Sequence, residues 1–293
     1  MLVDFHVHSS ASDGTLAPAE LVSKAAGFAA LALTDHDNTD GAAEFLSAPG
    51  AAAERIAGVE LSIEPGAGFD KFHLLGLGVD PDDEGLRNFL AGVLEGRNRR
   101  NARIIENFRA LGIEMVEGLE DSRSIFAYAH GEVLARPHFA RWLVDNGCAD
   151  SPAAAFAEYL MPDSPAASRC YEERWHPPQE KAIAVIHRAG GVAVMAHPRY
   201  WRRCWRERGV DYAAAEKELA RLKEAGLDGL ECIYQANTAE ENVEFTRIAG
   251  RTGLLKSAGS DFHGSNKPAI PLGMEVSEGF IAPLMERLRG RGA

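Results

Sequence analysis

The sequence lacks any apolar run approaching the roughly 20 residues that a membrane helix needs, so no helical span and no membrane partner is expected. Cysteine is scarce: Cys148, Cys170, Cys204 and Cys232 are the four present, far apart and without the paired CxxC spacing of a thiolate zinc site or redox motif. They are expected to be reduced thiols in a cytoplasm. Basic charge is also in deficit. Lys and Arg number 31 against 43 Asp and Glu, a formal net charge of −12, which excludes an overall positive field able to hold duplex DNA non-specifically. Any anionic substrate must therefore be met locally, by metal ions or clustered arginines. The start, Met1-Leu2-Val3-Asp4-Phe5-His6, has neither a basic n-region nor a long apolar h-region, so no signal peptide is expected. No repeat or low-complexity tract is evident, and nothing points to an obligate protein partner.

What is present suits a soluble α/β protein. The 293 residues, 46% of them hydrophobic, can bury one large core or one core plus a smaller unit. Short Val-, Leu- and Ile-rich runs at residues 2–7, 30–34, 55–63, 72–79, 192–196, 229–233 and 255–260 read as strands. Amphipathic stretches at 18–27, 179–189 and 212–225 read as helices, opened by Pro18 or closed by Gly190 and Gly226. This alternation is the pattern of parallel strands covered by helices, and its closing rhythm suggests a barrel. Residues 81–171 break the rhythm with helical segments at 86–111, 125–130, 136–146 and 153–160. The expected organisation is a first barrel segment at 1–80, a helical insertion or cap at 81–171, and a second barrel segment at 172–293.

The polar residues fall where such barrels place their active sites, at the strand ends. The first strand runs into His6-Val7-His8, whose alternate positions share one face, and Asp13 follows in Ser12-Asp13-Gly14. The second ends in Thr34-Asp35-His36-Asp37, the third carries Glu60 and the fourth begins with His73. The fifth leads to His197-Pro198 and the last to Ser260-Asp261-Phe262-His263. A lone HxH can face solvent, and a lone Ser-Asp-Gly is an ordinary turn. Their joint occurrence at successive strand ends argues against accident. His6, His8, Asp13, His36, Glu60, His73, His197, Asp261 and His263 are thus nine candidate ligands, more than one tetrahedral ion needs. Two or three divalent ions, with a carboxylate such as Glu60 bridging, would use them. The mixture of imidazole and carboxylate suits zinc, manganese or iron better than calcium. Such ions polarise phosphoryl oxygens and lower the pKa of bound water to about 7, so metal-assisted hydrolysis is the expected chemistry.

These motifs, with Gly58-Val59-Glu60, His73-Leu74-Leu75-Gly76 and Ala196-His197-Pro198, resemble the PHP (polymerase and histidinol phosphatase) family within the amidohydrolase superfamily. The resemblance implies a distorted (β/α)7 TIM-like barrel with a trinuclear centre, commonly manganese, iron or zinc. It implies that His6, His8, Glu60 and Asp261 hold one ion. Glu60, His73 and His197 would hold a second, and Asp13, His36 and His263 a third. Asp13, His36, Glu60, His197 and His263 are accordingly the expected catalytic set, with manganese the favoured metal. The helical insertion and Arg136-Pro137-His138-Phe139-Ala140 resemble the stand-alone group that includes 3′,5′-nucleotide bisphosphate phosphatases and short-RNA 5′ exoribonucleases.

The expected reaction is removal of the 3′-phosphate from a small nucleotide such as adenosine 3′,5′-bisphosphate, leaving AMP. The alternatives are 5′ to 3′ cleavage of short 5′-phosphorylated RNA, hydrolysis of histidinol phosphate, amide or lactone hydrolysis, or metal binding without turnover. On the substrate side, Arg136 and His138 at a helix start could hold a phosphate; otherwise Arg136 pairs with a carboxylate and His138 packs in the cap. Arg199, just after His197-Pro198, is read either as a ligand for a second phosphate or as a surface residue. The run Arg97 to Arg103 is expected to be a solvated helix face rather than an RNA-binding one. Trp175, Tyr200, Trp201 and Trp205 could stack on a base, or belong to core and rim. His130, His176 and His187 are read as structural. Asp35 and Asp37 are expected to orient His36 or another ligand.

Overall fold

The computed structural model describes residues 1–50, 54–64, 70–115, 124–129, 133–201 and 209–290; Cys204, Trp205 and His130 lie outside them. Eight strands form one sheet: β1 (Leu2–Val7), β2 (Ala30–Leu33), β3 (Glu54–Ile63), β4 (Phe72–Leu77), β5 (Val192–Met195), β6 (Gly229–Tyr234), β7 (Leu255–Gly259) and β8 (Met274–Glu275). Their order is β7-β6-β5-β4-β3-β2-β1-β8. The sheet curls until the ends of β1 and β7 meet, where the His8 amide donates to the Phe262 carbonyl at 3.0 Å and the Asp261 amide to the His6 carbonyl at 2.9 Å. The result is a nearly closed barrel.

One direction departs from the parallel expectation. β4 runs antiparallel to both β3 and β5, while β1-β2, β2-β3, β5-β6 and β6-β7 are parallel. The link 64–71 is too short for the crossover of roughly a dozen residues or more that a parallel neighbour requires. Reversal brings the beginning of β4, and with it His73, to the same mouth as the ends of the other strands. The added strand β8 is a short antiparallel partner of β1.

Alternation along β1 divides its side chains. Val3 and Phe5 join the core beneath α9 (Glu278–Arg289), packing with Ile281, Leu284 and Met285, while Asp4 and His6 engage polar groups of β7 and β6. The outer helices α1 (Pro18–Lys24), α2 (Ala42–Ser47), α6 (Gln179–Arg188), α7 (Tyr212–Glu224) and α8 (Ala239–Thr252) cover the sheet. Thr238 caps α8 by accepting from the Glu241 amide at 3.1 Å, and Gly253 ends it at φ +68°.

Between β4 and β5 the chain builds a second apolar cluster. Helix α3 (Glu84–Ala110), capped by the Asp83 carboxylate on the Leu86 amide at 2.7 Å, puts Leu86 and Leu90 against the barrel. Its far half puts Ile104, Ile105 and Phe108 against α4 (Arg136–Asp145) and α5 (Pro152–Ala155), with Phe139, Trp142, Leu143 and Ala155. The stretch expected as a helix at 125–130 is a short tight turn over Ile125–Tyr128. Spanning both clusters fixes the middle of α3, residues 97–101, over the barrel mouth.

Candidate metal centre and its two cavities

Loops at the mouth are shaped to bring ligands inward. The Asp35 carboxylate accepts from the Ser9 amide at 2.8 Å, the Ser9 hydroxyl at 2.6 Å and the Ser12 hydroxyl at 2.5 Å, fixing the loop that carries Asp13. A Cβ on Gly14 would lie 2.2 Å from the His8 carbonyl oxygen, and one on Gly259 would lie 2.4 Å from the His6 Cβ, so both positions need glycine. Asp37, His197 and Asp261 adopt φ of +57°, +29° and +61°, the strained region for non-glycine residues, and all three sit at strand ends on the mouth.

All nine strand-end residues come together there. Ligand atoms of His6, His8, Glu60 and Asp261 lie within 4.8 Å of one another, as do those of Glu60, His73 and His197, and those of His8, Asp13, His36 and His263. Glu60 is the hub. Its Oε2 lies 3.3 Å from His6 Nε2, 3.1 Å from His8 Nε2 and 3.0 Å from His36 Nδ1, and its Oε1 lies 2.7 Å from His73 Nδ1 and 3.1 Å from His197 Nε2. Asp13 Oδ1 is 3.2 Å from His263 Nε2. His6 Nε2, both nitrogens of His8, Asp13 Oδ1, His36 Nδ1 and Glu60 Oε2 are buried without a hydrogen-bond partner. Buried nitrogen and oxygen atoms of this kind, converging at these spacings, suit divalent metal ions.

The electrostatics agree. Burial alone would raise the Glu60 carboxyl, yet His36, His6 and His73 hold it well below the usual carboxylate range. Burial is likewise outweighed at Asp13 by His263 and His36, and at Asp261 by His263 and Lys267. At His8 burial opposes a charge, but Asp261 and Glu60 lift it to about 9. The carboxylates stay ionised and demand positive charge in their midst.

The supporting partners include one that the strand-end reading missed. Glu231, buried on β6, holds His6 Nδ1 at 3.0 Å through Oε1 and accepts the His197 amide at 2.6 Å through Oε2, leaving His6 Nε2 aimed at Glu60. An acidic residue inside the apolar run Gly229-Leu230-Glu231-Cys232-Ile233 was the available signal. The Ser62 hydroxyl meets His73 Nε2 at 3.0 Å. Asp261 Oδ2 accepts from the Tyr234 hydroxyl at 3.1 Å and from Lys267 Nζ at 2.6 Å, so Oδ1 is left to the imidazoles.

A cavity of about 440 Å³ opens on one side of the cluster. Asp13, His36 and His73 form part of its wall, and Arg97, Arg100, Arg136 and Arg174 line it as well. The Arg97–Arg103 run is thus not a solvated face: Arg97 and Arg100 are buried beneath the cap. Asp37 pairs with Arg97 and, at 2.6 Å, with Arg174, so it orients guanidiniums, while Asp35 orients the Asp13 loop; neither serves His36 as expected. Arg100 has no carboxylate partner among the described residues and its Nε no hydrogen-bond partner. Burial, with Arg97, Arg174 and Arg136 nearby, pushes it down to about 8. His176, read as structural, also lines this cavity.

Of the substrate-side expectations, Arg136 lies in this cavity, its guanidinium over the Tyr171 ring at 5.6 Å. His138 does not line it: Nδ1 accepts from the Ala135 amide at 3.0 Å, capping α4 from within. Arg199 turns the other way, to the Ala236 carbonyl and to Glu241 at 3.3 Å in the first turn of α8. On the far side of His73 is a second cavity, of about 420 Å³, lined by Phe72, His197, Tyr200, Trp201, Tyr234 and Lys267 among others. Trp175, by contrast, is exposed and packs over Gly96 of α3.

No helix among the described residues is long and apolar enough to cross a membrane. Residues 4–129 match the PHP domain. The chain is 36% identical over 268 residues to a 3′,5′-nucleoside bisphosphate phosphatase of Chromobacterium violaceum, covering 89% of this chain and 87% of that one. It is 34% identical over 286 residues to the 5′-3′ exoribonuclease Rnm of Escherichia coli, covering 94% and 89%. A solved structure from Bifidobacterium adolescentis, assigned as a metal-dependent phosphoesterase, superposes with a TM-score of 0.76 at 28% identity, covering 97% and 96%. Fold, clustered ligands and relatives agree, and the chain belongs to the PHP family of metal-dependent phosphoesterases.

Proposed function

We propose that the enzyme removes the 3′-phosphate from nucleoside 3′,5′-bisphosphates, and that the nine clustered residues hold its metal ions. The observation that carries the substrate is the arginine cavity beside the cluster: a molecule with one phosphate at the metals and another held by Arg97, Arg100, Arg136 and Arg174 satisfies both at once. The C. violaceum relative named for this substrate supports the reading.

When bound, divalent ions polarise the phosphoryl oxygens and acidify water. Glu60, reaching five imidazoles through its two oxygens, is the bridging ligand, and Asp13, His36 and His263 form the edge nearest the cavity. Asp37 keeps Arg97 and Arg174 pre-oriented. Arg100, without a carboxylate of its own, is left to the substrate's 5′-phosphate, where planar guanidinium donors match phosphate oxygens. Held at its 5′ end, the nucleotide presents its 3′ ester to the cluster, and this positioning selects the bond that breaks.

The test is a panel of adenosine 3′,5′-bisphosphate, AMP and histidinol phosphate with manganese-loaded protein, following phosphate release. Conversion of the bisphosphate to AMP with AMP spared is the expected result. Preference for histidinol phosphate, or equal release from AMP, removes the bisphosphate reading and leaves the phosphoesterase assignment intact.

A further inference from the structure

The second cavity is not needed by a mononucleotide seated as above. It meets the arginine cavity only along the strip Lys71, Phe72 and His73, so the two lie on opposite sides of the cluster. Its walls differ in kind. Phe72, Tyr200, Trp201 and Tyr234 bring four aromatic rings together, with Tyr200 and Tyr234 edge to face at 6.0 Å and Phe72 and Trp201 likewise at 6.0 Å. Trp201 is fixed by its Nε1 on the Asp70 carbonyl at 2.9 Å. Positive charge is confined to Lys71 and to Lys267, whose ammonium is held by Asp261 at the edge of the cluster. Inorganic phosphate has no use for such walls, whereas a base stacks on aromatic rings whatever its identity.

The geometry points to this cavity as the subsite for the second nucleoside of a 5′-phosphorylated oligoribonucleotide, an inference that rests on the arginine cavity holding the substrate's 5′-phosphate. In the bisphosphate the phosphorus at the cluster carries only terminal oxygens beyond its ester link to O3′. In RNA it carries in addition the O5′ of the next nucleoside, which must lie away from the arginines, and that side is the aromatic cavity. Lys71 and Lys267 stand beside the outgoing backbone. The reaction is the same displacement: the oxygen of water bonds to phosphorus, the P–O3′ bond breaks, and O3′ receives a proton. The products are a nucleoside 5′-monophosphate and an oligonucleotide one residue shorter that carries a new 5′-phosphate, ready to move one step into the arginine cavity.

The experiment compares adenosine 3′,5′-bisphosphate with the 5′-phosphorylated dinucleotide pApA in wild type, Tyr200→Ala and Tyr200→Phe. Because Tyr200 also neighbours the His197 ring at 6.0 Å, the readout is the ratio of kcat/KM for pApA to that for the bisphosphate, in which any common loss cancels. Tyr200→Ala is expected to lower this ratio about tenfold, the scale of one stacked base, and Tyr200→Phe to restore it. Calorimetric binding in EDTA is expected to show the same loss for pApA and none for AMP. An unchanged ratio, or an equal loss of AMP binding, assigns the cavity to the first base or to nothing and overturns the inference. Wild type that hydrolyses the bisphosphate but not pApA also overturns it while leaving the proposed function standing; inactivity on both removes the two together.

Discussion

In the His–carboxylate cluster every candidate ligand sits on a strand end or the loop just beyond it, and imidazoles alternate with carboxylates so that opposite charges interleave. In the arginine cavity the guanidiniums come from the middle of α3, the first residue of α4 and the segment before α6, and the nearest acid, Asp37, answers only two of them. One region collects negative charge around atoms awaiting a cation, and the other collects positive charge awaiting an anion. The two faces define a substrate by its ends: an ester at the first, a second phosphate at the second.

The comparison breaks most sharply at Glu60. Glu60→Gln removes the charge shared by five imidazoles, and metal-assisted transition-state stabilisation of several kcal/mol goes with it. Steady-state assays at saturating metal are expected to show kcat reduced by about 10³-fold or more on every phosphoester, with circular dichroism unchanged. Activity within tenfold of wild type would mean that Glu60 is not the bridge.

A smaller effect is expected one layer out. Glu231→Gln still occupies the space beside His6 and the His197 amide but no longer draws the Nδ1 proton of His6 as a carboxylate does. Manganese affinity measured by calorimetry is expected to fall about 10- to 100-fold, and much of the lost activity to return at high metal. This pattern separates an orienting residue from a ligand, whose loss excess metal does not repair.

The same contrast explains what could be read before any coordinates. A histidine or aspartate at the end of a Val- and Leu-rich strand conflicts with its surroundings, and the repetition at His6, Asp35, Glu60, His197 and Asp261 marks one mouth. Glu231 carries the same signal in the middle of an apolar run but has no neighbouring motif to amplify it. Arg97 and Arg100 carry none: Arg, Asn and Arg at helical spacing look like a solvated face, and only the position of α3 between two apolar clusters buries them. The reversal of β4 follows from the length of its link, a cue present in the sequence that the alternating rhythm masks. The two-residue β8 is too short for any pattern.

The arginine side sharpens by substrate rather than by metal. Arg100→Ala removes a buried donor with no carboxylate partner, and a hydrogen bond to a charged group contributes about 1.5–3 kcal/mol. The ratio of kcat/KM for the bisphosphate to that for an aryl monophosphate, which brings no second phosphate, is expected to fall about 10- to 100-fold. Equal losses on both would place Arg100 with the cluster and dissolve the distinction between the two faces.

The smallest effect belongs to Arg199, which adjoins His197 in sequence yet faces neither the arginine cavity nor the cluster. Its guanidinium spans the Ala236 carbonyl and Glu241, a partly exposed pair that steadies the start of α8 and lies against the Tyr200 ring. Pairs of this kind contribute about 0–1 kcal/mol, and backbone carbonyls near a loop are readily rehydrated. Arg199→Ala is therefore expected to lower the urea midpoint only slightly and to leave the KM for the bisphosphate within about twofold of wild type, a change below 1 kcal/mol. A tenfold rise in KM would return Arg199 to the substrate's second phosphate, and would mean that sequence proximity to His197 was a better guide to that phosphate than the enclosed charge beneath the cap.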